Sequence, residues 1–257
     1  GPATCVTAWP NGYGSRFDII SAYDGCLWKY PNIGAHDSPW FGDPVRYPLP
    51  TEIQNLGQVT KLCIVDVDYD GVLDILLGVV SYKDYFPGKG DGWGACGVGE
   101  DAAGTNIAFD EKGEWSGGEI HGHSIWLKNF GTLQHPDFAS GGPLIQDGAP
   151  IDHHCIPSPV SIEWNHDGIP DLISAESNGQ LAQRLSSLEF GLRQLEPASN
   201  ISLGDSAEFD WTDPVFAAID IERLHRNDLV VGTREGDVYT VLTSGELDEA
   251  TMFSAPA

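Results

Sequence analysis

The stretch Asp66-Val67-Asp68-Tyr69-Asp70-Gly71-Val72-Leu73-Asp74 places carboxylates at positions 1, 3, 5 and 9 around a single glycine. Alternating acids converge when the backbone curls, glycine takes the sharp turn at low cost, and the Val72 carbonyl at position 7 adds another oxygen. Four like charges this close repel one another, so the stretch is expected to hold a cation. An all-oxygen set with no sulfur or imidazole favours Ca²⁺ over zinc or copper. The flanks Val59-Thr60-Lys61-Leu62-Cys63-Ile64-Val65 and Ile75-Leu76-Leu77-Gly78-Val79-Val80 are short, apolar and β-branched, so the loop joins two buried strands. An EF-hand would need helices on both sides.

Copies of this stretch set the architecture. The segment Glu163-Trp164-Asn165-His166-Asp167-Gly168-Ile169-Pro170-Asp171 keeps side-chain oxygens on Glu163, Asn165, Asp167 and Asp171, the glycine at position 6, and a carbonyl at Ile169. A third copy, Asp220 to Asp228, lacks the position-5 oxygen and the glycine, and Arg226 crowds it. A fourth, Trp9 to Asp18, keeps only the last aspartate, so it is expected to retain the turn without the metal. The closing aspartates Asp18, Asp74, Asp171 and Asp228 are spaced by 56, 97 and 57 residues, the middle interval being one repeat plus about 41 more.

Each unit reads as an apolar strand, the loop, a second apolar strand, a glycine turn, a third strand and a looser fourth. Asp24-Gly25, Asn178-Gly179 and Glu235-Gly236 mark three of the turns. Four antiparallel strands per unit predict an all-β chain, a β-propeller of four-stranded blades, whose radial repetition protects the sheet edges. The single domain divides into repeats at roughly 1–56, 57–156 with an insertion at 81–123, 157–212 and 213–257. The four blades either close on themselves or form part of a larger ring or assembly.

The pattern D-x-D-x-D-G-x-x-D, followed by Leu or Ile and a small residue, resembles the FG-GAP or VCBS repeat of integrin-like calcium propellers. That resemblance implies Ca²⁺ between the first two strands of a blade, held by Asp66, Asp68, Asp70 and Asp74 and again by Glu163, Asn165, Asp167 and Asp171. A second stretch, with Gly113, Trp115, Gly117 and Gly118 followed by Asn129, Gly131 and Thr132, is similar to G-x-W-x-G-G…N-x-G-T in secreted bacterial propellers associated with polysaccharide breakdown, including ulvan-lyase-like enzymes. It covers one blade and carries over no complete catalytic set.

The net charge of -25, from 38 acidic against 13 basic residues, argues against nucleic-acid binding, which needs Lys and Arg for phosphate contacts. No run reaches the roughly 18 apolar residues of a membrane helix. Gly1-Pro2 followed by a strand-like run reads as a mature or engineered start without a signal peptide. Cys5, Cys26, Cys63, Cys96 and Cys155 form no C-x-x-C pair, which excludes a zinc ribbon. One or two disulfides are open, and Cys63 reads as a buried free thiol.

The insertion carries Tyr82, Tyr85, Phe86, Trp93, Phe109 and Trp115, aromatic faces suited to sugar rings or to packing the loop on itself. His121 and His123 share a strand face, and His153, His154 and Cys155 lead into the next blade. This group is a candidate Zn²⁺ site. Alternatively, His121, His123 or His153 with Tyr82 or Tyr85 is a candidate set for removing the C5 proton of a uronic acid by β-elimination. Three functions stay open: an extracellular or periplasmic calcium propeller recognising carbohydrate or another extracellular ligand, a polysaccharide lyase, and a structural module of a larger assembly.

Overall fold

The computed structural model describes residues 5–12, 16–81, 121–153, 157–165, 167–175, 181–189, 192–201, 214–219, 228–233, 236–243 and 250–254. Most of the insertion, including Tyr85, and also His154, Cys155 and most of the 220–228 copy, lie outside the described residues.

Four four-stranded antiparallel sheets stand in a ring, a four-blade β-propeller arrangement. Blade 1 comprises β1 (Cys5–Pro10), β2 (Phe17–Tyr23), β3 (Cys26–Tyr30) and β4 (Val45–Pro48). A short helix, α1 (Thr51–Leu56), leads into blade 2, made of β5 (Gln58–Val65), β6 (Asp74–Ser81), β7 (His121–Asn129) and β8 (Phe138–Pro143). A two-strand ribbon follows, β9 (Ile145–Gln146) with β10 (Ala149–Pro150). Blade 3 has β11 (Val160–Ile162), β12 (Asp171–Ala175) and β13 (Leu181–Arg184). A hairpin, β14 (Ser186–Glu189) with β15 (Leu192–Leu195), precedes its outer strand β16 (Ser199–Asn200). Blade 4 has β17 (Val215–Ile219), β18 (Asp228–Gly232), β19 (Val238–Thr243) and β20 (Ala250–Ser254). The helix and the extra hairpin were not foreseen, because neither belongs to the repeated unit.

Second strands read as unbroken apolar runs because neighbours cover both of their faces. In β6, Ile75, Leu76, Leu77, Val79 and Val80 are all fully buried. Leu76 faces blade 3 in a cluster with Val65, Val67, Leu144, Ile151 and Leu172, while Ile75, Leu77 and Val79 join Trp9, Ile20 and Leu27 of blade 1. Blades 3 and 4 meet through Ile162, Trp164, Ile173, Phe216, Leu229 and Val231. Among the described residues no apolar cluster joins blade 4 to blade 1. Val6 in β1 and Val215 in β17 are 63% and 56% exposed.

Cys26 and Cys63 are free thiols. The Cys63 sulfur accepts a hydrogen bond from the Ser161 amide at 3.3 Å, and burial pushes its thiol pKa up, as befits an inert packing residue. Among the described residues no helix is long and apolar enough to cross a membrane.

Strand alternation divides the ring into two ends. The loops joining first to second and third to fourth strands lie at one end. The turns joining second to third strands, and the links between blades, lie at the other. The acidic loops therefore stand opposite the point where the insertion leaves and rejoins the sheet, at the paired residues Ser81 and His121.

Candidate metal centre and the opposite end of the ring

Each acidic loop is wound by its own side chains. In 66–74 the Asp66 carboxylate accepts from the Asp70 amide at 3.2 Å and the Gly71 amide at 2.9 Å, and Asp70 accepts from the Val72 amide at 2.9 Å. In 163–171 Glu163 accepts from the amides of Asp167 and Gly168, and Asp167 accepts from the Ile169 amide at 2.8 Å. Gly71 and Gly168 have φ of 86° and 87°, the left-handed turn that the spacing required. The two loops are built alike, as the repeat implied.

The closing aspartates do more than end the loops. Asp74 is fully buried, and its carboxylate accepts from the amides of Asn129 (2.7 Å) and Val67 (3.2 Å) and from the Trp126 indole (2.9 Å). Burial pushes its carboxyl pKa up, while these three donors pull it down. Asp171 repeats the arrangement with the amides of Ser186 (2.7 Å), Trp164 (3.0 Å) and Asn165 (3.3 Å). Asp18 accepts from the Asn32 amide at 2.8 Å and forms a buried ion pair with Lys29 at 3.0 Å. In blade 1, whose loop lacks the other acids, Lys29 supplies a positive charge to the remaining one.

The residue that caps the closing aspartate also opens a rigid corner. Asn32 and Asn129 each accept, on the side-chain oxygen, the amide two residues on (Gly34, Gly131) and the amide eight residues on (Trp40, Asp137). A methyl group at Gly131 would stand 2.2 Å from the His135 carbonyl oxygen, and one at Gly34 would stand 2.5 Å from that of Ser38. The spacing N-x-G followed by Pro five residues after the glycine occurs in both segments and was the legible signal for this corner. Ile33 and Phe130, at the same place in each corner, are 66% and 65% exposed, and Trp40 is 70% exposed.

Three of the four ligands expected in 66–74 come together. One carboxylate oxygen from each of Asp66, Asp68 and Asp74 lies within 4.8 Å of the others, and no other such group of His, Cys, Asp and Glu occurs among the described residues. Asp68 Oδ1 is buried and accepts no hydrogen bond, as does the Tyr69 hydroxyl. An orphaned anionic oxygen beside two further carboxylates fits a hard divalent cation. Asp70 instead turns outward to Lys128, whose Nζ lies 2.8 Å from Asp70 Oδ2 and also bonds Asp68. The Lys128 contact holds the Asp70 carboxyl below the usual carboxylate range. Burial pushes the Tyr69 phenol up to about 12, with the acids of both loops adding to the effect.

At the opposite end the described histidines His121, His123 and His153 form no common ligand group. His121 Nδ1 pairs with Asp152, which also accepts from the Gly122 amide at 3.1 Å. His123 Nδ1 meets the Ile151 carbonyl at 3.1 Å, and so carries the proton there. His153 is fully buried, with Nε2 bonded at 2.8 Å to Ser124, which points to the other face of β7. Each imidazole thus has a structural partner of its own. A cavity of about 250 Å³ opens between α1 and β7, lined by Ile53, Leu56, Ile125, Pro143, His123 and Glu52 among others, and among the described residues no lysine or arginine lines it.

No protein-family model and no curated protein matches this chain. Among solved structures it is similar to a lectin of Agrocybe aegerita described for its specific recognition of non-reducing terminal N-acetylglucosamine. The TM-score is 0.42 at 16% identity, over 97% of this chain and 65% of that one.

Proposed function

We propose that this chain is an extracellular calcium-binding propeller of the FG-GAP or VCBS kind, which recognises carbohydrate at the end of the ring bearing the acidic loops. The observation that carries the reading is a set of exposed apolar side chains, Trp40, Phe130 and Ile33, on corners pinned by buried aspartates at the same end as the Asp66, Asp68 and Asp74 cluster. Rigid exposed aromatics lose little entropy on binding, and their faces stack on the C–H faces of sugar rings. Nearby carboxylates accept hydrogen bonds from hydroxyls. With a net charge of -25 the surface selects neutral glycans over polyanions. Ca²⁺ at 66–74, held by Asp66, Asp68 and Asp74 with the Val72 carbonyl, would supply the positive charge that joins the loop's carboxylates.

Two measurements test this. Removing Ca²⁺ held at about 100 times its Kd is expected to lower Tm by about 5–10 °C, because a ligand bound only to the folded state stabilises it by mass action. Asp68→Asn should remove most of that shift, and an unchanged melting curve on chelation would exclude a calcium role. On an array of neutral and acidic oligosaccharides, binding is expected among the neutral ones. Trp40→Ala and Phe130→Ala should each weaken it about tenfold or more while leaving Tm nearly unchanged, since both rings are exposed. Binding that survives both substitutions would place recognition elsewhere.

A further inference from the structure

We propose that Lys128 is a resident cation of the 66–74 loop, which Ca²⁺ must displace in order to bind, so that this loop takes calcium more weakly than its four carboxylates alone would dictate. The inference rests on the calcium reading above and adds to it a residue that opposes the metal. Lys128 is half-buried, bonds both Asp68 and Asp70, and lies 5.3 Å from the ring centres of Trp126 and Phe130. It thus engages one member of the converging carboxylate group and the acid that stands outside it.

Comparison between blades shows that the fold does not require a cation here. The residue in question immediately precedes the one whose amide caps the closing aspartate. In blade 2 this is Lys128 before Asn129, in blade 3 Leu185 before Ser186, and in blade 1 Pro31 before Asn32. Among these three blades only the loop with four carboxylates has the lysine. The 163–171 loop, with Glu163, Asp167 and Asp171, has one charge fewer and a leucine instead.

A divalent ion on Asp66, Asp68 and Asp74 would stand within a few ångströms of the ammonium, and like charges at that range in a partly desolvated site repel strongly. Calcium entry is therefore a cation exchange. Lys128 leaves Asp68, and the exposed face of Phe130, 5.3 Å from Nζ, offers it an alternative seat. Loading the loop would then place a positive charge on one of the aromatics assigned to glycan contact.

Titration calorimetry with CaCl₂ tests this in a background carrying Asp167→Ala, which silences the 163–171 loop. Adding Lys128→Leu, the blade 3 residue, is expected to tighten calcium binding by about tenfold or more, because it removes the competing charge. In the wild-type protein, acetylation of Lys128 followed by mass spectrometry should rise several-fold when Ca²⁺ is added, a readout that needs no variant. Equal or weaker affinity in the Lys128→Leu protein, or Lys128 reactivity unchanged by calcium, overturns the proposal while leaving the calcium reading intact. Absence of calcium binding with and without Lys128→Leu overturns both.

Discussion

Asp74→Ala is expected to cost about 3–5 kcal/mol of folding stability, because it strands three buried donors at once and each unsatisfied group costs about 1–3 kcal/mol. Those donors are the Asn129 and Val67 amides and the Trp126 indole. Through them one side chain ties the start of β6 to the end of β7 and to the loop itself. Asp74→Asn should cost less, since one oxygen remains, but its amide nitrogen must face a donor wherever the other side is satisfied. Urea denaturation separates this role from metal binding. Asp68→Asn should lose only the calcium-dependent part of stability, whereas Asp74→Ala should stay destabilised in chelator and in excess calcium alike. If the two variants behave the same, the closing aspartate is merely a ligand and its structural role is wrong.

Lys29→Met should be nearly as damaging, by about 3–5 kcal/mol, for the reason that a buried carboxylate left without its partner retains the full cost of desolvation. Asp18 and Lys29 are both almost entirely buried and 3.0 Å apart. Lys29 also donates to the carbonyls of Leu133 and Gln134, each at 3.2 Å, which anchors the 129–137 corner of blade 2 on blade 1. The double variant Asp18→Asn/Lys29→Met is expected to be more stable than Lys29→Met alone, since it removes the orphaned charge. Measured as a double-mutant cycle, the coupling should exceed about 1 kcal/mol. A coupling near zero would mean that Lys29 acts only through the two carbonyls.

These two aspartates also show how far the chain could be read without coordinates. Strand positions were legible because each element is local. β3 starts directly after the Asp24-Gly25 turn, and the strands flanking 66–74 extend the expected runs by at most a residue at each end. The loop geometry was legible as well, since a glycine at position 6 and acids at alternate positions dictate the turn. The histidines were not. His121, His123 and His153 are close in sequence to strand ends that meet, yet alternation sends Ser124, and His153 with it, to the opposite face of β7. Each ring then found a different partner.

What the sequence alone determined is the phase of the repeat and the chemistry of each turn, because alternation, turn residues and like-charge crowding act over a few neighbouring positions. Tertiary structure alone decided which cation meets which carboxylate: Lys29 on Asp18 within blade 1, Lys128 on Asp68 and Asp70 across almost sixty residues. It also decided that the acidic loops and the histidines stand at opposite ends of the ring. Those outcomes depend on which strands lie side by side and in what register, and a third strand's distance from its neighbours along the chain carries no trace of its distance from them in space.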